Sequence, residues 1–275
     1  MNPTFAEKYG PWALVTGASK GIGTEFARQL AALGLNIVLL ASHGDALRAI
    51  AAELTRDYGV DTRVVTIDLG RVDVLEQVAR RTDDIDVGLL VSNAATSTVG
   101  PFLAQSVDYV TYQLDVNARA ALMLTHHFAT RMAQRGSGGV ILMSSGSALH
   151  GTPFSANYAG TKAYNLILAE SLWYEMQPLG IDVLGFMAGA TRTPGWQANR
   201  PRSLWSVPVM DAEPTVNWAL WSLGRRPSVA AGRLNRFGYA LMSLMTRARA
   251  VKLLGGSMKK MFGPLRQDGT QPFWG

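Results

Sequence analysis

The chain has 275 residues, 48% of them hydrophobic, a net charge of +6 and no cysteine. That length suits one large α/β domain or two small ones, the composition is that of a folded protein, and the missing thiols exclude disulfides, thiolate metal sites and a cysteine nucleophile. Residues 1–10 are polar and charged, unlike a signal peptide, and the longest apolar run, residues 30–41, holds Gly34 and Asn36 and is too short to cross a bilayer. A cytoplasmic protein without a transmembrane helix is expected.

Residues 11–16 (PWALVT) are a short apolar run, followed by the glycine-rich TGASKGIG of residues 16–23 and then EFARQLAAL with helical spacing. This reads as strand, glycine loop, helix. Gly17, Gly21 and Gly23 let the backbone turn tightly and approach a ligand, and the amides opening the helix suit a pyrophosphate. The G-x-x-x-G-x-G spacing differs from the commoner dinucleotide fingerprint, so its place between a first strand and a first helix carries the information.

Residues 36–41 (NIVLLA) form a second strand, and residues 45–58 a helix. A carboxylate just after that strand would bind the adenosine ribose hydroxyls and repel a 2′-phosphate. Ala41, Ser42 and His43 stand there instead, with Lys20 adding charge from the glycine loop, which favours NADP(H). The absent arginine leaves NAD(H) open, and Lys20 and His43 also read as plain solvated residues. Residues 62–67 make a third strand ending in Asp68 and Leu69; Asp68 either accepts from an adenine amino group or caps a helix beginning near Arg71.

A fourth strand, residues 87–91, ends in Ser92, Asn93, Ala94 and Ala95, small residues that leave room for a nucleotide or form a plain tight turn. Residues 106–134 are helical with a break near Leu114, and Asn117 inside them needs either a kink or a water-binding role, because asparagine is a poor helix former. Residues 139–143 (GVILM) give a fifth strand, residues 157–177 a helix, and residues 181–186 a sixth strand followed by AGATRTPG. Strands alternating with helices predict an α/β fold, a Rossmann-type doubly wound parallel sheet with helices on both faces. Ligands then lie beyond the carboxyl ends of the strands, where the glycine loop, Asp68, Asn93, Ser145 and Thr193 all fall.

The stretch LMSSGSALHGTPFSANYAGTKAYNLILAESL, residues 142–172, carries the chemistry. Tyr158 and Lys162 are four apart in a helix and face the same way, so the ammonium is expected to lower the phenol's pKa. With Ser145 they suit proton transfer to or from a carbonyl or alcohol oxygen. Packing for Tyr158 and solvation for Lys162 is the plain alternative.

The opening YGPWALVTGASKGIG, the LNIVLL strand, Asn117, the Ser145/Tyr158/Lys162 set and TKAY around the lysine together resemble the short-chain dehydrogenase/reductase family over roughly residues 9–225. YGPWALVTG and IDVGLLVSNAA resemble further the branch of 17β-hydroxysteroid dehydrogenases and 3-ketoacyl-CoA reductases. The resemblance implies Tyr158 as general acid or base, Lys162 as the group that lowers its pKa and binds the nicotinamide ribose, Ser145 as the group orienting the substrate oxygen, and Asn117 as holder of a water linking Lys162 to solvent. It also implies that Gly17, Ser19, Lys20, Gly21, Ile22, Gly23, Ser42, His43, Asp68, Leu69, Asn93, Ala94, Gly189, Thr191 and Thr193 hold the cofactor, with Asp68 facing adenine, Asn93 the adenosine ribose side and Thr193 the carboxamide. A homodimer or homotetramer is implied, and no metal. Three departures stand out: Ala188-Gly189 in place of the family's Pro-Gly, Ala95 in place of a glycine, and Ser42 in place of an arginine.

One domain over 1–275 is expected, with an irregular lid at 194–213, rich in Trp196, Trp205, Val207, Val209 and Met210, over a hydrophobic substrate. Residues 213–223 read as a helix. A basic helical extension over 225–266 is expected, with two helices between 233 and 262 broken at Gly255-Gly256. Between Glu213 and Asp268 no acidic residue occurs. Its apolar residues are expected to pack within the chain or on a second subunit, with peripheral contact to an anionic membrane next and nucleic acid excluded for want of a motif. The functional expectation is an NADP(H)-dependent ketone/secondary alcohol oxidoreductase for a bulky hydrophobic substrate of steroid, 3-ketoacyl or aryl ketone class. The alternatives are an NAD-dependent alcohol dehydrogenase and a non-catalytic nucleotide-binding scaffold.

Overall fold

Apolar runs without alternation, such as WALVT and VGLLVS, need cover on both faces of a strand. The computed structural model, which describes residues 4–193 and 209–262, provides it. Strands β1 (Trp12–Thr16), β2 (Asn36–Ala41), β3 (Thr62–Thr66), β4 (Val87–Ser92), β5 (Gly138–Ser144), β6 (Ile181–Met187) and β9 (Ser228–Ala230) form a parallel sheet in the order β3-β2-β1-β4-β5-β6-β9. β7 (Ala190–Arg192) and β8 (Val209–Asp211) pair separately, also in parallel.

Side-chain alternation along β1 sends Ala13 and Val15 into one buried layer and Leu14 into the other. The first layer is completed by α2 (Gly21–Ala32), α3 (Gly44–Tyr58) and α8 (Ala212–Ser222) through Phe26, Leu30, Leu47, Leu54 and Val216. The second is completed by α4 (Val74–Ala79), α6 (Ala120–Arg135) and α7 (Ala156–Met176) through Val78, Leu124, Phe128 and Ala169. Ahead of the sheet, α1 (Phe5–Tyr9) holds the opposite end: Tyr9 donates to Asp182 Oδ2 at 2.5 Å, and Lys8 pairs with the same carboxylate.

Several expectations need correction. The helix after β3 starts at Val74 with Asp73 at its cap, not near Arg71, so Asp68 does not cap it. The insert expected to be irregular over 194–213 closes with β8 and the first turn of α8; Trp196, Trp205 and Val207 lie outside the described residues. The extension expected to be helical from 225 begins instead with β9, which completes the sheet and is too short to show a period in sequence. Finally, α9 (Arg233–Ser243) and α10 (Arg247–Phe262) are separated at residues 244–246, and α10 runs through Gly255 and Gly256. Gly255 packs closely on the loop before α7: a Cβ there would stand 3.2 Å from Pro153 Cγ.

No helix of the described residues is long and apolar enough to cross a membrane. The tail's apolar residues divide: Met258 is buried, while Leu234, Phe237 and Leu241 along α9 and Leu244 just past it lie exposed, where packing within the chain was one expectation.

Leu14 is fully buried in the middle of the sheet. Leu14→Ala is expected to cost roughly 2–5 kcal/mol, read as a lower denaturation midpoint at unchanged slope; a loss below about 1 kcal/mol would contradict the packing described.

Candidate active site

The strand order reverses between β1 and β4, which opens a crevice at their carboxyl ends. Gly17 and Gly21 there adopt φ of +67° and +62°, the left-handed region that favours glycine. The space beside them is already filled: a Cβ on Gly17 would meet Ala94 Cα at 2.9 Å, one on Gly21 would meet Thr193 Cγ2 at 2.9 Å, and one on Gly23 would enter the Gly17 carbonyl. Behind the loop, Asn93 Nδ2 donates to the Thr16 carbonyl at 2.9 Å, and the Asn93 amide donates to Thr16 Oγ1 at 2.9 Å. Lys20 occupies the cap of α2 without a side-chain hydrogen bond to its first turn, so those amides remain available to an anion.

β5 delivers Ser145 just past its end, and α7 delivers Tyr158 and Lys162 from its first turns. Ser145 and Tyr158 line one cavity, and the Ser145 hydroxyl is near enough to act on the Tyr158 phenol. Ser144 is turned away, donating to the Lys162 carbonyl at 2.8 Å. Lys162 is 3% exposed; its Nζ donates to the Met143 carbonyl at 3.0 Å and lies 5.7 Å from the centroid of the Tyr158 ring. Burial pushes this ammonium down to about 8.

Burial also raises the Tyr158 phenol above its ordinary value, with the Ser145 hydroxyl acting in the opposite direction and the nearby Tyr239 adding to the rise. The expectation of a lowered phenol pKa therefore fails in this structure. Sharing a helix face was not enough, because Nζ is held by a carbonyl of β5 and desolvation is the larger effect.

Asn117 lies in a π-turn, Asp115–Arg119, between α5 (Val107–Leu114) and α6, so the kink is present. Its carboxamide accepts from Thr96 N and donates to Thr96 O, both at 2.8 Å, and donates to Thr161 Oγ1 at 3.1 Å. That side chain ties the loop after β4 to α7. The backbone carbonyl of Asn117 accepts from Asn165 Nδ2 at 2.9 Å.

A cavity of about 570 Å³ brings together Ser145, Tyr158 and Lys162 with Gly17, Ser19, Lys20, Gly21, Ile22, Ser42, His43, Asp68, Leu69, Asn93, Ala94, Gly189, Thr191 and Thr193. Gly23 and Asn117 stand behind its wall. A model of the short chain dehydrogenase family matches residues 11–203. The chain belongs to that family.

Among its relatives, the 7beta-hydroxysteroid dehydrogenase of Clostridium sardiniense is 33% identical over 261 residues, 94% of this chain and 98% of that protein. A solved structure described for 7beta-hydroxysteroid dehydrogenase stereoselectivity superposes with a TM-score of 0.87 at 28% identity, covering 92% of this chain and 99% of that one. A short-chain dehydrogenase from Sphingobium yanoikuyae in complex with NADPH superposes with a TM-score of 0.74 at 28% identity, covering 95% and 99%. The chain is thus a short-chain dehydrogenase/reductase, an oxidoreductase of the class that acts on CH–OH groups.

For this dehydrogenase, sequence reading missed three residues that the fold brings to the site. Tyr109 and Tyr112 line the cavity from α5; Tyr112 donates to Asp68 Oδ1 at 3.0 Å, and its phenol is pushed up to about 12 by burial and that carboxylate. Tyr239 of α9 covers Gly146, beside Ser145. None of the three left a signal in the sequence.

A buried ammonium facing a neutral carbonyl destabilises the fold. At roughly 1.4 kcal/mol per pKa unit, the shift from 10.5 to about 8 makes this a penalty on the order of 3 kcal/mol. It is fully present below pH 8 and fades as pH rises toward the unfolded value, since the unfolded state then binds more protons. Lys162→Met is therefore expected to raise the melting temperature at pH 7, with the advantage shrinking toward pH 10; a melting temperature unchanged or lowered at pH 7 would contradict this.

Proposed function

We propose that this chain is an NADP(H)-dependent oxidoreductase interconverting a ketone and a secondary alcohol on a bulky hydrophobic substrate of the steroid or 3-ketoacyl class. The observation that carries the reading is that the Ser145–Tyr158 pair and the glycine loop open into one cavity. The residues fit a dinucleotide: the left-handed glycines leave no room for side chains, and the uncapped first turn of α2 offers amides to a pyrophosphate. Bound nicotinamide would supply or accept the hydride.

In the reductive direction Tyr158 donates its proton to the carbonyl oxygen while Ser145 orients that oxygen. A phenol raised above its ordinary value is protonated at neutral pH, as an acid must be. The Lys162 ammonium, charged below about pH 8, stabilises the phenolate that remains. Asn117 acts as a positioning residue, fixing the loop at Thr96 against α7. The reading of a steroid-class substrate is supported by the 7beta-hydroxysteroid dehydrogenase from Clostridium sardiniense, which aligns over nearly the whole of both chains.

Tyr158→Phe is expected to lower kcat by about 10²–10⁴ while leaving the dissociation constant of NADPH within a factor of about two. Normal turnover by this variant, tested on a panel of ketosteroids, 3-ketoacyl thioesters and aryl ketones, would remove Tyr158 as the acid. No turnover by the wild type across that panel would favour the non-catalytic scaffold.

The preference for NADP(H) rests on Ser42 and His43 standing where a carboxylate would exclude a 2′-phosphate; Arg48, which pairs with Asp45 in the first turn of α3, is the cation that follows them in the chain. Arg48→Ala is expected to raise the KM for NADPH about tenfold, the scale of one charge-assisted contact, and to leave the KM for NADH unchanged. Equal effects on both coenzymes, or greater activity with NADH in the wild type, would point to the NAD-dependent alternative.

A further inference from the structure

The loop that leaves β3 brings one carboxylate, Asp68, to the wall of the nucleotide crevice. Its Oδ1 accepts two hydrogen bonds, from the Gly70 amide at 2.9 Å and from the Tyr112 hydroxyl at 3.0 Å. Among the described residues no hydrogen bond reaches Oδ2 and no cation pairs with the group; Arg71, three positions on, pairs with Asp73 instead. An ionised carboxylate only accepts. Asp68 therefore keeps acceptor capacity for a ligand while two converging donors hold its other oxygen.

Tyr112 reaches this loop from α5, and the loop is shaped to receive it: a Cβ on Gly70 would run into the Tyr112 ring. Neither element needs the Tyr112 hydroxyl as an anchor. The loop is held by Arg119, whose Nη2 donates to the carbonyls of Gly70 and Arg71 at 3.2 and 2.9 Å. α5 is held by Gln113, which donates to the Thr96 carbonyl at 3.1 Å, and by Asn157 of α7, which donates to the Val110 carbonyl at 2.8 Å. What the phenol adds is the orientation of the carboxylate. Pushed up to about 12, it stays protonated at neutral pH and remains a donor to Oδ1.

The direction of that acceptor matters for a purine. Adenine carries an exocyclic amine, a donor, where guanine and hypoxanthine carry a carbonyl oxygen, an acceptor. A held carboxylate bonds the first and repels the second, and a site built around one hydrogen bond rejects an analogue that cannot make it. A carboxylate free to turn away would lose that discrimination.

We propose that Tyr112 is a positioning residue that sets the base selectivity of the crevice: by engaging Oδ1 it presents the acceptor of Asp68 to the exocyclic amine of adenine and bars a coenzyme whose base carries a carbonyl there. This rests on the dinucleotide reading above and adds to it the residue that enforces the choice of base.

The test is calorimetric titration of the full chain with NADPH and with its hypoxanthine analogue, which reads binding whether or not turnover occurs. The wild type is expected to bind NADPH at least about tenfold tighter, the scale of one hydrogen bond to a charged group. Tyr112→Phe keeps the ring on Gly70 and is expected to narrow the gap to about threefold, through weaker binding of NADPH alone. In Asp68→Asn the amide oxygen still accepts from Tyr112 while Nδ2 offers a donor to a base carbonyl, so the gap is expected to close to within about twofold or reverse. Equal affinity of the wild type for the two coenzymes would overturn the proposal. So would a gap of wild-type size in Tyr112→Phe, including one in which both coenzymes weaken equally, since a merely structural role predicts that. Failure of the wild type to bind either of these, or NADH, would remove the dinucleotide reading and this inference with it. Equal binding of the two bases beside intact NADPH-dependent turnover would sink this inference alone.

Discussion

One contact joins the two elements that carry the candidate site: the Lys162 ammonium, removed from water and held by the carbonyl of Met143. It fastens α7 to the end of β5, and the reverse contact, Ser144 to the Lys162 carbonyl, fastens the same two elements a second time. The pair sets how far Tyr158 stands from Ser145. A charged amine with one neutral partner is a costly way to join a helix to a strand, and a hydrocarbon would hold them at less expense. Retaining it makes physical sense where a cation beside a phenol is needed for proton transfer, the usual trade of stability for a poised site.

The nucleotide end of the crevice is built on steric exclusion rather than charge. Gly23 sits against the Gly17 carbonyl, Gly17 against Ala94, and Gly21 against Thr193, so the loop is compressed between β1, the end of β4 and the chain leaving β6. The Asn93 and Thr16 side chains stitch those strand ends together through hydrogen bonds to backbone groups. The loop is therefore already shaped before any ligand arrives, which lowers the ordering cost of binding. Gly189, at φ +70°, serves the same purpose on the substrate side, where a Cβ would strike Asn235 at 2.6 Å. That close approach joins the segment after β6 to α9 and gives a physical reason for glycine even without the preceding proline.

The basic tail becomes a wall of the substrate region. α9 presents Tyr239 inward and keeps its cations at the rim, while α10 packs Gly255 on Pro153 and brings Lys259 over the Phe154 ring, just ahead of the catalytic helix. Phe154 itself holds φ +66°, a strained conformation for a bulky residue, at the turn leading into that helix. The tail thus shapes both the far wall of the reacting centre and the approach to Tyr158.

The parallel α/β architecture, six of its seven sheet strands and the glycine loop could be read from the sequence because each depends on short-range pattern: continuous apolar runs, helical spacing and glycine between them. The proximity of Tyr158 and Lys162 followed from helical periodicity in the same way. The direction in which the Lys162 amine points, the rise in the phenol's pKa, and the placing of Tyr112 and Tyr239 were decided by tertiary structure. Each depends on which distant carbonyl, carboxylate or ring packs alongside, and on how much water that packing removes. Desolvation belongs to the folded assembly and leaves no period in the chain, which is also why a three-residue edge strand came into view only with the fold.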